Sequence, residues 1–179
     1  TNDQNLILCD GIKMYQSAHF FGLISAFNPY LTEKVTIIKN GSSARYGDGV
    51  SGVLDMETKN TIEDDLFGGA GFNLISGDAY GQISITNNLA VQFSGRRSHT
   101  DFIDTPTYTT FSQKAFQDSE VRADSDFYFY DFSGKVLYDI NPYHRLRLSL
   151  IHMKNNLDYE ENDTDGSLTN LSALDQTNI

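Results

Sequence analysis

From residue 66 onward, apolar and polar positions alternate with a period of two, the pattern of half-buried strands. In 68–76 one face carries Ala70, Phe72 and Leu74; in 79–86 Gly81, Ile83 and Ile85 stand against Gln82, Ser84 and Thr86. Asn87-Asn88 has turn chemistry, and Leu89, Val91 and Phe93 then alternate with Ala90, Gln92 and Ser94. Tyr128, Tyr130, Phe132, Val136 and Tyr138 share a face opposite Asp131, Ser133 and Lys135. After Asn141-Pro142-Tyr143-His144 turns the chain, Leu146, Leu148 and Leu150 alternate with Arg145, Arg147 and Ser149. The pattern predicts about five antiparallel strands, the first hairpin turning around Gly77-Asp78. Residues 1–65 obey another rule. Short apolar runs at 6–9, 35–38 and 53–56, bounded by turn residues, predict short strands. Residues 20–27 predict one or two helical turns, stopped by Asn28-Pro29. The expected organisation is a compact α+β unit over 1–65, then an antiparallel β unit over 66–179.

The connections carry further information. Turns at 87–88 and 141–144 are short, whereas 99–124 and 158–179 predict long polar loops on the opposite rim. Outer-membrane barrels are built this way, with the long loops facing outward. The strand predicted over 125–140 is also long, since five to six residues is typical of soluble domains. Phe102, Phe127, Tyr138, Tyr143 and Tyr159 fall near strand ends, where an interfacial aromatic girdle belongs. A soluble sandwich with one buried apolar face fits the alternation as well.

Composition narrows the choices. The 179 residues include 24 acidic and 13 basic side chains, a net charge of −11, which leaves no basic stripe for duplex DNA. A hydrophobic content of 39% is too high for a disordered chain. No apolar run approaches the roughly 20 residues of a spanning helix, which excludes a helical anchor but not a barrel. Cys9 is alone, so no internal disulfide forms, and its apolar neighbours predict a buried thiol. The acidic cluster Asp158, Glu160, Glu161, Asp163, Asp165 and Asp175 reads as a solvated loop. The sequence opens at Thr1 without an initiator Met or signal peptide, so a processed start or an internal piece of a longer chain is expected.

Enzyme signatures are missing. His19, His99, His144 and His152 are scattered without a zinc-binding His-Glu-x-x-His pair. In Gly49-Val50-Ser51-Gly52 the second glycine comes one place too early for a nucleophile elbow. The adjacent carboxylates Glu63-Asp64-Asp65 and Glu160-Glu161 would point to opposite faces of a strand. Residues 161–166 echo a calcium loop but place Glu161 first, where Asp belongs, and Ser172 twelfth, where Glu belongs. No catalytic residue, metal or cofactor is expected.

The most distinctive segment is 39–59, Lys-Asn-Gly-Ser-Ser-Ala-Arg-Tyr-Gly-Asp-Gly-Val-Ser-Gly-Val-Leu-Asp-Met-Glu-Thr-Lys. It resembles the plug-domain signature of TonB-dependent outer-membrane receptors, carried by Gly41, Arg45, Tyr46, Gly47, Gly49 and Gly52 and ending in a Thr-Lys strand. Asp10-Gly11-Ile12-Lys13-Met14-Tyr15 resembles the preceding plug strand and turn, and 19–29 resembles the variant of Bacteroidetes-type receptors. The likeness is close over 8–60 and looser over 66–158. It implies part of an α+β plug domain over 1–65, followed by a partial transmembrane antiparallel β-barrel of about five strands over 66–179. The barrel of such a receptor has roughly 22 strands. It also implies a bacterial outer-membrane location and import of a scarce extracellular ligand into the periplasm, with energy from the TonB–ExbB–ExbD complex. Outer-membrane lipid or lipopolysaccharide, and a surface lipoprotein, are further implied partners; nucleic acid is not. Candidate ligand contacts are Tyr15, Gln16, His19, Phe20 and Phe21, beyond a plug strand. The alternative is that Phe20 and Phe21 are core and His19 structural. Arg45 and Tyr46 are expected to tie the plug to itself or to the wall. Arg96 and Arg97 would sit at the outer rim, facing the lumen, lipopolysaccharide or solvent. Two other readings stand beside this one: a secreted soluble β-rich binding module, which the sequons Asn40-Gly41-Ser42, Asn162-Asp163-Thr164 and Asn170-Leu171-Ser172 would suit, and a receptor fold with a docking or secretion-associated role.

Overall fold

The computed structural model describes residues 5–15, 17–19, 22, 24–39, 43–47, 51–63, 66–103, 105–115, 125–162 and 169–178. In the N-terminal part, β1 (Asn5–Cys9), β2 (Ile12–Lys13), β5 (Thr32–Lys39) and β6 (Gly52–Thr58) form a sheet of order β2-β1-β6-β5, while β3 (Ala18–His19) and β4 (Ile24–Ser25) make a separate hairpin. β1 runs parallel to β6, and the remaining pairs are antiparallel. Asp10 and Gly11 close the β1–β2 hairpin with φ of 51° and 80°, the left-handed pair that a two-residue Asp-Gly turn favours. Within 20–27, where helical turns were expected, Gly22 lies in a 3₁₀ turn with a φ of 93° that few other residues adopt and Ile24–Ser25 form β4, while Phe20, Phe21 and Leu23 lie outside the described residues.

β7 (Phe67–Phe72), β8 (Ser76–Thr86), β9 (Leu89–Ser98), β10 (Ser125–Asn141), β11 (His144–Asn162) and β12 (Thr169–Asn178) form a second sheet in which every strand pairs with its sequence neighbours. Among the described residues this sheet has six strands, where about five were expected. The extra one, β12, lies in the segment expected to be a loop; its few apolar residues, Leu171, Ala173 and Leu174, fall at both odd and even positions and so give no alternation. The first hairpin turns at Asn73 to Ile75, not at Gly77-Asp78, because Asn73 Oδ1 accepts from the amides of Ile75 and Ser76 at 2.8 and 2.9 Å. Asn141 does the same for Tyr143 and His144, both at 2.9 Å. The expected loop 99–124 contains α1 (Pro106–Ala115). Thr105 caps it, accepting from the Tyr108 amide at 3.2 Å, and Pro106 occupies the first helical position, where its missing N–H is harmless.

The faces of this sheet are inverted relative to a soluble domain. Val136 pairs with Leu148 on one side and Val91 on the other, and Val91 pairs with Ile83, so the apolar faces of four strands join in one register row. That side is open: Leu148 is 65% and Ile85 59% exposed. The opposite side, packed on the N-terminal layer, holds Gln82, Gln92, Ser94, Asp131, Lys135 and Asn155, all buried. Two apolar clusters lie on that inner side. Phe127, Phe129 and Leu157 pack under Tyr108 of α1, with Ile24 and Ile75 against them; Met153 meets Cys9, Met14 and Ala26. Phe127 is therefore core and not part of an aromatic girdle, whereas Phe102, Tyr138 and Tyr143 are exposed. The Tyr159 side chain lies outside the described residues.

Glycine makes the β7 edge possible. A Cβ on Gly68 would stand 2.6 Å from the Tyr80 backbone oxygen, and one on Gly69 would stand 2.9 Å from the Tyr80 hydroxyl. Tyr80 in turn stacks on Tyr30 at 4.7 Å, so an N-terminal ring rests on a sheet ring that rests on a bare backbone. Gly68→Ala should cost about 1–3 kcal/mol, since the atom in the way is main chain and cannot rotate aside. A denaturant titration of the whole protein would measure this, and a cost near zero would show that β7 shifts freely.

Candidate functional site

Among the described residues, buried charged groups join the polar face of the sheet to the N-terminal layer at two clusters. The first is built on the Asp-Gly turn. Asp10 accepts from the Thr58 amide at 2.9 Å through Oδ1, and from the Thr58 hydroxyl at 2.6 Å and Ser149 at 3.2 Å through Oδ2. The Lys135 ammonium lies 3.2 Å from the same Oδ2 and donates to Thr58 Oγ1 at 2.9 Å. Both partners of this pair are about nine-tenths buried, at 6% and 10% exposure. Burial alone would raise the Asp10 carboxyl, but the Thr58 bonds and the Lys135 charge outweigh it and hold the group below the ordinary carboxylate range.

The second place is centred on His19, whose ring is wholly buried. Nε2 lies 3.1 Å from Asp131 Oδ2 and Nδ1 lies 2.6 Å from Asn155 Oδ1, while the ring stacks on Phe129 at 4.2 Å. The Arg96 guanidinium approaches Asp131 to 2.7 Å and donates to the Ser25 carbonyl. Arg96 thus turns inward and ties β9 to both β10 and the β3–β4 hairpin. Arg97 turns outward, pairing with Asp101 at 2.7 Å and lying 4.6 Å from the Phe102 ring. Lower on the sheet, Gln92 donates to the Lys59 carbonyl at 3.0 Å and Arg147 to the Asn60 carbonyl at 2.9 Å, fixing the segment after β6.

The residues singled out from sequence fall into separate groups. Tyr15 is 82% exposed and Lys13 lies 5.2 Å from its ring centroid. His19 faces the sheet instead, and the two do not form one surface. Gln16, Phe20, Phe21, Gly41 and Gly49 lie outside the described residues. Tyr46, between β5 and β6, donates to Asp55 Oδ2 of β6 at 3.0 Å, a bond within the N-terminal unit that raises the phenol, and the exposed Arg45 lies 5.8 Å from the Tyr46 ring centroid. Gly47 sits in the turn that follows, and Gly52 opens β6, where a Cβ would press the Ile38 carbonyl at 3.1 Å. Asp10, Asp131, Lys135, Ser149 and Asn155 were missed as site residues. A usable signal existed: Asp131 and Lys135 project from one face of a strand whose other face is aromatic, so both must find partners inside.

Cys9 lies beside the Asp10 contact. Burial, helped by the Asp10 charge, pushes its thiol up to about 12. The thiolate fraction at pH 8 is then on the order of 10⁻⁴, and a maleimide should leave Cys9 unmodified until the protein is denatured. Intact mass after native labelling checks this, and prompt modification would mean that the interface opens readily. Among the described residues no group of three or more His, Cys, Asp or Glu is placed to hold a metal.

The arrangement defines a class of protein: a small mixed-sheet unit seated by polar contacts against the polar face of an antiparallel wall. Residues 1–53 match the family model described as the TonB-dependent Receptor Plug Domain. The resemblance read from 39–59 and 10–29 is therefore supported over that stretch, consistent with a fragment of a TonB-dependent receptor. No curated protein and no solved structure matches the chain significantly.

Proposed function

We propose that the chain is part of a TonB-dependent outer-membrane receptor, of the Bacteroidetes type, that imports a scarce extracellular ligand into the periplasm. Residues 1–65 supply the C-terminal part of the plug and 66–179 the first strands of a transmembrane barrel, with lipid and lipopolysaccharide against the outward face. The observation that carries the reading is the inverted sheet. Its exposed side bears Ile83, Phe93, Leu148 and Leu150, and its covered side bears Gln82, Gln92, Asp131 and Lys135. A soluble sandwich buries its apolar face. On β10 the outward residues from Phe132 to Ile140 span about nine positions, the number a tilted strand needs to cross hydrocarbon. The described strands leave β7 and β12 as edges, which lipid does not tolerate, so further strands must complete the wall.

Transport of this kind needs no covalent chemistry. The ligand would dock among long outer loops, with Tyr15, Gln16, Phe20 and Phe21 as the candidate contacts read from the sequence, while His19 anchors the β3–β4 hairpin to the sheet. The TonB–ExbB–ExbD complex would supply the energy, and a surface lipoprotein would cap the outer mouth.

Fractionation of the source organism tests the reading. The polypeptide should appear in the outer-membrane fraction, require detergent, and have an intact mass several times that of this chain. Uptake of its ligand should stop when TonB is deleted. A homogeneous soluble species of 20.1 kDa would overturn the proposal, and ligand-independent secretion would favour a docking role.

A further inference from the structure

The outward face of the large sheet changes character along its strands. On β9 its positions run Leu89, Val91, Phe93 and Gly95, and on β11 Leu146, Leu148 and Leu150, without a charge. The first charged side chains met there are Arg97 and Lys154, with His152 just short of the latter. Tyr130 of β10 stands between them, paired with Arg97 on one side and Lys154 on the other. One register row therefore reads cation, tyrosine, cation. Its two charges spring from backbones two strand spacings apart, about 10 Å. The Arg97 guanidinium also lies 5.7 Å from the Tyr128 ring. Each cation is held from beyond the row: Asp101, in the segment after β9, meets Arg97 at 2.7 Å, and Asp175, which pairs with Asn156, meets Lys154 at 2.7 Å. Neither cation is used up. Among the described residues, Arg97 donates to Ser98 and Asp101 through its two terminal nitrogens and to nothing through Nε, and its side chain is 46% exposed. Lys154 has one carboxylate partner for its three N–H donors.

We propose that this row is the seat of a glycolipid whose sugar headgroup carries two phosphates, one received by Arg97 and the other by Lys154, with the sugar against Tyr130. The inference rests on the receptor reading above and names one lipid contact within it. An apolar wall gives way to charge at the headgroup level of a membrane, and the row lies at the strand ends from which the long connection 99–124 springs, the outward-facing rim. Two cations this far apart match two separated phosphates, whereas a phospholipid headgroup brings one. Arginine offers phosphate oxygens a planar fork and lysine a point charge. The tyrosine between them presents a ring and a hydroxyl to the sugar. A headgroup so placed directs its acyl chains along Phe93, Phe132 and Leu150, which are all exposed. Asp101 and Asp175 keep the two cations at the boundary before the lipid arrives, so little ordering is left to lose on binding. Their charge also sets a condition: a lone phosphate meets a carboxylate for each cation it approaches, and only a ligand that engages both cations overcomes that repulsion.

The test uses the whole receptor, purified in detergent, stripped of lipid and titrated with bis-phosphorylated lipid A in mixed micelles, with bound lipid counted by native mass spectrometry. Arg97→Gln and Lys154→Gln should each weaken binding about fivefold, the worth of one cation at an anionic membrane surface. Lipid A lacking one phosphate should bind the native receptor as weakly as the bis-phosphorylated lipid binds either variant. Arg97→Lys combined with Lys154→Arg keeps both charges and should retain most of the affinity. Arg145→Gln removes a 66% exposed cation at the opposite end of β11 and should change nothing. Equal affinity of the native receptor and the double glutamine variant, or competition by phosphatidylglycerol as effective as that of the bis-phosphorylated lipid, overturns the seat while leaving the receptor reading intact. Absence of the protein from the outer-membrane fraction overturns both.

Discussion

Replacing Leu148 with arginine should destabilise the protein by about 2–4 kcal/mol in a bilayer, the cost of a cation on the lipid face near the midplane of a barrel. Leu148 is 65% exposed and shares its register row with Val136 and, one strand further, Val91 and Ile83. In water such an exposed position is nearly neutral to substitution, within about 0.5 kcal/mol. One variant therefore separates the two environments by several times the error of the measurement. Denaturant titration of the receptor in lipid vesicles reads the cost directly. A value within the aqueous range would remove the membrane from the proposed function and return the sheet to a soluble setting, with its apolar side covered by a protein partner.

The second large effect is expected at Asp131. Its Oδ2 receives both His19 and the Arg96 guanidinium, and Arg96 is 15% exposed. Asp131→Ala leaves the arginine buried without its counter-charge, a loss of about 3–5 kcal/mol when one member of a buried pair is removed. Asp131→Asn keeps the shape and one acceptor, so it should fall between the variant and the native protein. The damage should be local: limited proteolysis should cut within 1–65 far sooner, while β8 to β11 stay protected by their continuous ladder. Equal protection of the two parts would mean that His19 and Arg96 hold the N-terminal layer less firmly than Asp10 and Lys135 do.

Much of the fold was legible because a strand of period two declares its faces. The alternations at 81–86, 89–94, 128–138 and 146–150 gave the strands and also the residues that share a side. Alternation alone does not say which side is covered, since Gln92 facing water and Gln92 facing a polar layer read identically; only the packing distinguishes them. The turn at 73–75 was misplaced because Gly77-Asp78 has stronger turn chemistry in isolation, whereas a single Asn73 carboxamide fixes the real one. α1 announced itself in Thr105-Pro106, an N-cap followed by a proline at the first helical position, and was overlooked inside a polar stretch. The site was less legible. Asp10 was read only as half of an Asp-Gly turn, and its bonds to Thr58, Ser149 and Lys135 join positions 48 to 139 apart in sequence, beyond any local pattern. Arg45 and Tyr46 were read from a signature, and the Tyr46–Asp55 bond within the N-terminal unit is one of the two outcomes expected for them.

The neighbour-by-neighbour order of the large sheet has a kinetic counterpart. Each strand pairs with its neighbours in sequence, so β7 to β12 can zip together in chain order, with short closures except across residues 99–124 between β9 and β10. The N-terminal layer cannot. β1 must wait for β6 to find its parallel partner, and His19 must wait for Asn155, 136 residues downstream. The first residues of the chain are thus among the last to reach their final contacts. During that interval the polar side of the wall, from Gln82 to Asn155, stands hydrated, and docking of the N-terminal layer becomes the closing step of assembly.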